Sequence, residues 1–191
     1  MAFTAQIGSQ TTVPKVKMDS DQRVHRDACG MPYGKGFWFS FCAPKEWIVD
    51  NSIARDQGIN AVVYPAASSW DSARQSGTFM YYSTSQKKGE SSDVSQMMAT
   101  DAAEVMHRVQ SAVVKKGEPI QVGGISVPVQ LFAPGGFDRF EAVAYIDSPN
   151  VIIMFVMSSN GEDTFKRDYE SFVRLVQSYK FQGTEVIFKG K

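Results

Sequence analysis

The segment GMPYGKG at positions 30–36 carries the glycines and lysine of a phosphate-binding loop. Its spacing does not fit that chemistry. Three residues separate Gly30 from Gly34, and no Ser or Thr follows Lys35 to hold a magnesium ion. The run after it, FWFSFC, alternates like a strand, so no helix N-terminus stands ready for a phosphate. Cys29 lies four residues after His25. A thiol nucleophile needs a positioned base and a lowered pKa, and this Gly/Pro-containing stretch promises neither. There are two histidines, His25 and His107. Asp21 and Asp27 flank His25, but no second histidine or cysteine pair completes tetrahedral spacing. His107, next to Arg108, reads as a solvated helix histidine. Glu162-Asp163 reads as acid at a helix start, favoured by the helix dipole. No G-x-S-x-G elbow occurs. The expectation is a protein that is not an enzyme and uses no metal and no cofactor.

A different kind of site is conceivable between positions 47 and 70, WIVDNSIARDQGINAVVYPAASSW. Arg55 and Arg74 are donors near Trp47, Tyr64 and Trp70, a set suited to an anionic or planar ligand in a shallow aromatic cleft. The plainer reading is structural. Trp47 anchors the chain after a strand, Gly58 permits a reversal, Arg55 holds the loop and Pro65 ends an edge. Trp38, Tyr81 and Tyr82 add to the aromatics of this half, but no basic patch accompanies them, as nucleic-acid binding would require.

Composition agrees with that exclusion. The 191 residues carry 20 basic and 20 acidic groups, so no net field draws nucleic acid or acidic lipid. At 43% hydrophobic the chain can bury a core of one domain's size. The longest apolar run, Val151–Met157, suits a buried strand and is far short of a membrane span. The N-terminus lacks the charged start and apolar core of a signal peptide. Two readings stay open: a cytoplasmic protein, or an exported one whose signal has been removed and replaced by Met1. Cys29 and Cys42 bear on the choice. A bridge between them would tie the N-terminal arm to the first strand and fit a periplasmic or secreted location. Two unrelated thiols are the other reading.

The elements that must position these residues are legible from periodicity. Residues 1–35 read as an N-terminal arm, and 36–188 as a single α+β domain. Strands are expected over 37–42, 60–64 and 78–84, with a loop or one helical turn over 65–77. A helix over 93–115 follows from Val94, Met98, Ala102, Val105, Val109 and Ala112, with Asp93 and Gln96 as a variant capping box and Gly117 and Pro119 as stops. Strands at 119–122, 125–133, 139–147 and 151–158 are separated by turn signals, above all Gly123-Gly124, and form an antiparallel meander. Val151–Ser158 is apolar on both faces and should be covered on both. A helix over 163–179 follows from Phe165, Tyr169, Phe172, Val176 and Tyr179, and a short strand at 184–188 closes the chain. The sum is an α/β/α sandwich around a central antiparallel sheet.

The runs FSFCAPKEW, ARDQGINAVVYP, SSW and MYY, with EAVAYIDSPNVIIMFVMSS and FVRLVQSY, resemble uncharacterised bacterial proteins of the PsbP-like fold. The fold is named after the extrinsic protein P of photosystem II. The resemblance spans about residues 36–182 and rests on pattern, without a catalytic signature. It implies the same sandwich, and an accessory or binding role through a protein partner that sequence does not identify. No photosystem role is implied, and fold does not fix function.

Overall fold

The computed structural model describes residues 29–51, 61–87, 93–134 and 139–185. Arg55, Gly58, His25 and positions 186–188 of the expected last strand lie outside them, as does most of the expected arm.

Eleven strands and three helices make an α+β fold among the described residues. The short strands β1 (Cys29–Gly30) and β2 (Tyr33–Gly34) pair with β3 (Phe37–Cys42). Next come β4 (Trp47–Asp50), β5 (Val62–Pro65), helix α1 (Trp70–Ser76) and β6 (Thr78–Gln86). Helix α2 (Val94–Arg108) leads to β7 (Val113–Val122), β8 (Ile125–Ala133), β9 (Phe140–Asp147) and β10 (Val151–Ser159). Helix α3 (Glu162–Gln177) and β11 (Lys180–Gly183) close the described chain.

The central sheet has seven antiparallel strands in the order β4-β5-β6-β10-β9-β8-β7. Its second half is the expected meander. Gly123 (φ +54°) and Gly124 (φ +89°) make the turn between β7 and β8, where an L side chain would be strained. β10 sits in the middle, and eight of its nine residues are buried. It is covered on both sides. Ile153, Phe155 and Met157 face a core shared with Phe172, Leu175 and Val176 of α3. Ile152 and Val156 face Met97 and Val105 of α2, and α1 covers the same side farther along, over Val62 and Tyr64.

Two differences from expectation bear on the architecture. The apolar stripe carries through Val109 and Ala112, but α2 ends at Arg108 and the chain extends from Val113. Gly117 and Pro119 therefore lie inside β7 rather than beyond a helix. The ladder to β8 shifts between Gly117 and Ile120, and β7 is an edge strand, where a proline costs no ladder hydrogen bond. The second difference is FWFSFC. It joins no edge of the central sheet. It is the middle of a separate small sheet in which β1, β2 and β11 flank it. Phe37, Phe39 and Phe41 all point into the core beneath, so β3 lies as a layer on the sheet, beside α3.

Candidate functional site

Of the residues expected to form an aromatic cleft, Arg55 lies outside the described residues, and Trp47 does not join Tyr64 and Trp70. Trp47 faces the core under β3 and α3, whereas Tyr64 and Trp70 pack against Phe79 on the opposite side of the sheet. The cause is the period of two. Trp47 and Ile48 are neighbours on β4, and only Ile48, paired with Tyr64, points toward α1. The Tyr64 and Trp70 rings lie 6.2 Å apart, and Trp70 meets Phe79 edge-on at 5.2 Å. The Tyr64 hydroxyl donates to Asp50 Oδ2 at 2.8 Å. Burial, with that carboxylate second, pushes its pKa up to about 12, which keeps it a donor. The Arg74 side chain is exposed, and its carbonyl oxygen accepts a hydrogen bond.

That acceptor serves Arg139, which precedes β9 and is 8% exposed. Its Nη1 donates to the Arg74 carbonyl at 2.8 Å and its Nη2 to the Gly77 and Ser158 carbonyls at 2.7 and 3.0 Å. Nε donates to Ser158 Oγ at 2.9 Å, and the guanidinium lies 5.0 Å from the centre of the Phe79 ring. Burial lowers its pKa, opposed by the Glu141 carboxylate. Arg139 thus clips the end of α1 to the middle of the sheet. A second polar cluster lies under α2. The Tyr145 hydroxyl is 2.8 Å from Asp101 Oδ2 and 3.0 Å from Gln130 Oε1. One phenol proton cannot serve both. Either the Asp101 carboxyl carries a proton, which its burial-raised pKa favours, or the Gln130 amide turns its nitrogen toward the phenol. Both clusters spend their donors and acceptors on internal bonds that fix a helix to the sheet.

The open feature lies at the other end. The segment Gly30–Tyr33 runs as a strap along one edge of β3 and borders an open pocket of about 240 Å³. Its floor is Phe41 and Tyr82, and its wall is Asn51 and Ala61, which flank the ends of β4 and β5. Glycine is needed at position 30. A Cβ there would stand 2.8 Å from the Phe41 ring, so only a bare backbone can pass that close. The strap is held at both ends. The Phe39 amide donates to the Pro32 carbonyl at 3.1 Å, and the β2–β3 hairpin turns at Gly36, with φ +83°. Cys29 and Cys42 are direct cross-strand partners, with their Cα atoms 3.9 Å apart and their sulfurs bonded. The GMPYGKG run is therefore strap and hairpin, followed by a strand. The strap's outer residues are open: Met31 is 68% and Tyr33 54% exposed. Among the described residues no group of three or more His, Cys, Asp or Glu could hold a metal ion, and no helix is long and apolar enough to cross a membrane.

Neither Arg139, Tyr145 nor the pocket announces itself in sequence. The partners of Arg139 are mostly backbone carbonyls, and the strap meets Ala61 and Tyr82 only after the chain has folded back. The Gly-rich stretch at 30–36 is the one local sign that backbone passes close to something there.

No family model matches this chain, and no curated protein matches it. A solved structure does: the solution structure of cyanobacterial PsbP from Synechocystis sp. PCC 6803, at 11% identity and a TM-score of 0.53, covering 87% of this chain and 99% of that one. At that identity the likeness is one of fold, and this chain has the PsbP-like fold.

Proposed function

We propose that this protein is a non-catalytic accessory protein, exported or associated with the cell envelope, that works by contact with another protein. The observation that carries the reading is the strap. Large apolar side chains, Met31 and Tyr33, stand out from a short segment held to the sheet at Cys29–Cys42. A contiguous exposed apolar patch is a common mark of a protein–protein contact. A cross-link on the segment that carries Met31 and Tyr33 fits an oxidising compartment and cuts the entropy lost when the surface is covered. The likeness to cyanobacterial PsbP supports the fold on which this reading rests.

The test is site-directed photocrosslinking in intact cells of the native host. A photoreactive side chain at Tyr33 is expected to give one discrete adduct, and the same group at Lys166, exposed on α3, is expected to give none. Replacing Met31 by serine should weaken recovery of the crosslinked partner about tenfold, the loss of one apolar anchor, without lowering the melting temperature. Absence of any adduct from Tyr33 would contradict the proposal.

A further inference from the structure

We propose that Asn160 is a self-modifying site, at which the side-chain amide is lost through a cyclic imide formed with the backbone nitrogen of Gly161. The inference concerns the turn between β10 and α3 and is separate from the protein contact assigned to the strap. Three observations carry it.

The first is the pair of reacting groups. Imide formation needs a backbone nitrogen that can reach the asparagine Cγ, and a following residue whose side chain does not block it. Asn160-Gly161 is the single Asn-Gly step in the chain. Glycine has no Cβ to shield its amide. Gly161 stands at φ +112°, and a Cβ built on it would meet nothing within 4 Å, so that side of the turn is open.

The second is that both groups are unengaged. Asn160 is exposed. Among the described residues no hydrogen bond holds its side-chain amide or the Gly161 N–H. Asn150 supplies the contrast within the same fold. It is exposed too, but its Nδ2 donates to the Gly36 carbonyl at 3.2 Å, and the branched Val151 follows it.

The third is place. Gly161 caps α3 without a side chain, so the first-turn N–H groups keep their partial positive charge. A new carboxylate one residue before the cap is favoured there.

The chemistry balances with water as the only co-reactant. The Gly161 nitrogen attacks Asn160 Cγ and closes the ring. The Cγ–Nδ2 bond breaks, and ammonia leaves with the proton of the attacking nitrogen. Water then opens the ring at either carbonyl, giving aspartate, or isoaspartate with the main chain running through the side-chain carbon. Aspartate keeps the backbone path. Isoaspartate lengthens it just after the Asn160 N–H, which donates to the Gly77 carbonyl at 3.0 Å, the carbonyl that Arg139 also holds. The isoaspartate form should therefore loosen the junction of β10 with α3, and the aspartate form should not.

The experiment incubates the full-length oxidised protein at mildly alkaline pH and body temperature, then maps its peptides by mass. Isoaspartate is scored by methyl transfer from protein isoaspartate methyltransferase. The peptide carrying Asn160 is expected to gain the mass of an amide turned to an acid and to accept methyl groups. The peptide carrying Asn150 should convert at least about tenfold more slowly. Gly161→Ala should slow conversion at Asn160 at least about tenfold, by placing a Cβ beside the attacking nitrogen. If the positive φ keeps Gly161→Ala from folding, Asn160→Gln decides, because its longer side chain closes the imide poorly, and it should accept no methyl groups. Asn160→Asp should melt as the wild type does, and the methylated fraction of aged protein should melt lower. Asn160 left intact while an unfolded peptide of the same sequence converts would overturn the proposal. So would conversion at Asn160 no faster than at Asn150, or aspartate formed with no isoaspartate.

Discussion

Arg139→Leu is expected to destabilise the protein by about 3–5 kcal/mol, one of the two largest losses for any single change considered. Leucine fills much of the volume but leaves the carbonyls of Arg74, Gly77 and Ser158 and the Ser158 hydroxyl without the donor that now meets them. Each buried acceptor left unpaired costs about 1–3 kcal/mol, and they fail together because one side chain serves all four. Ser158 Oγ keeps its own bond to Glu141 Oε1 at 3.0 Å, and the Gly77 carbonyl keeps the Asn160 amide at 3.0 Å, so the loss is not total. Arg139→Lys should recover little. An ammonium is a point donor and cannot span acceptors spread around a planar guanidinium. Urea unfolding of the oxidised protein reads the effect, and a loss below about 1 kcal/mol for Arg139→Leu would show that the clip does not hold α1 to the sheet.

Phe39→Ala should cost a comparable amount, toward the upper end of about 3–5 kcal/mol. Phe39 is fully buried, and its ring lies within 6.3 Å of five others: Phe37, Phe41, Tyr82, Phe155 and Tyr179. It is the centre of the contact by which the small sheet lies on the large one. Alanine removes the ring and leaves a cavity that rigid aromatic neighbours cannot close. Phe39→Leu should recover about half. Phe181, which opposes Phe39 on β11, is 45% exposed, and Phe181→Ala should cost under about 1 kcal/mol. Equal losses at 39 and 181 would contradict the layered arrangement.

The legibility of this fold follows from what strand and helix periods can carry. The meander from β7 to β10 was readable because Ile125, Val127, Val129 and Leu131 alternate and glycines punctuate the turns. α3 was readable because Phe165, Tyr169, Phe172 and Val176 return to one face every turn. α2 was read seven residues too long because Val109 and Ala112 stay in phase with the stripe while the backbone has already turned toward an extended path. WIVD was too short to read as β4. FWFSFC could be read as a strand, but alternation tells which face is apolar and not which sheet a strand joins. The candidate site was the least legible part. Trp47 and Trp70 look like partners in sequence, yet one step along β4 sends Trp47 to the opposite side of the sheet. The open pocket that does form depends on contacts between strap and sheet across 30 or more residues, and no local pattern encodes those.

The account turns on the strap being locked to β3 in the cell, because the exposed surface and the exported location both depend on it. The most direct test is intact mass of the protein from its native host, with thiols trapped at lysis, before and after reduction. The account predicts no trapped thiol and a gain of two hydrogens on reduction, from one bridge between Cys29 and Cys42. Two trapped thiols would contradict it, removing the support for export and for a preformed contact surface at the strap.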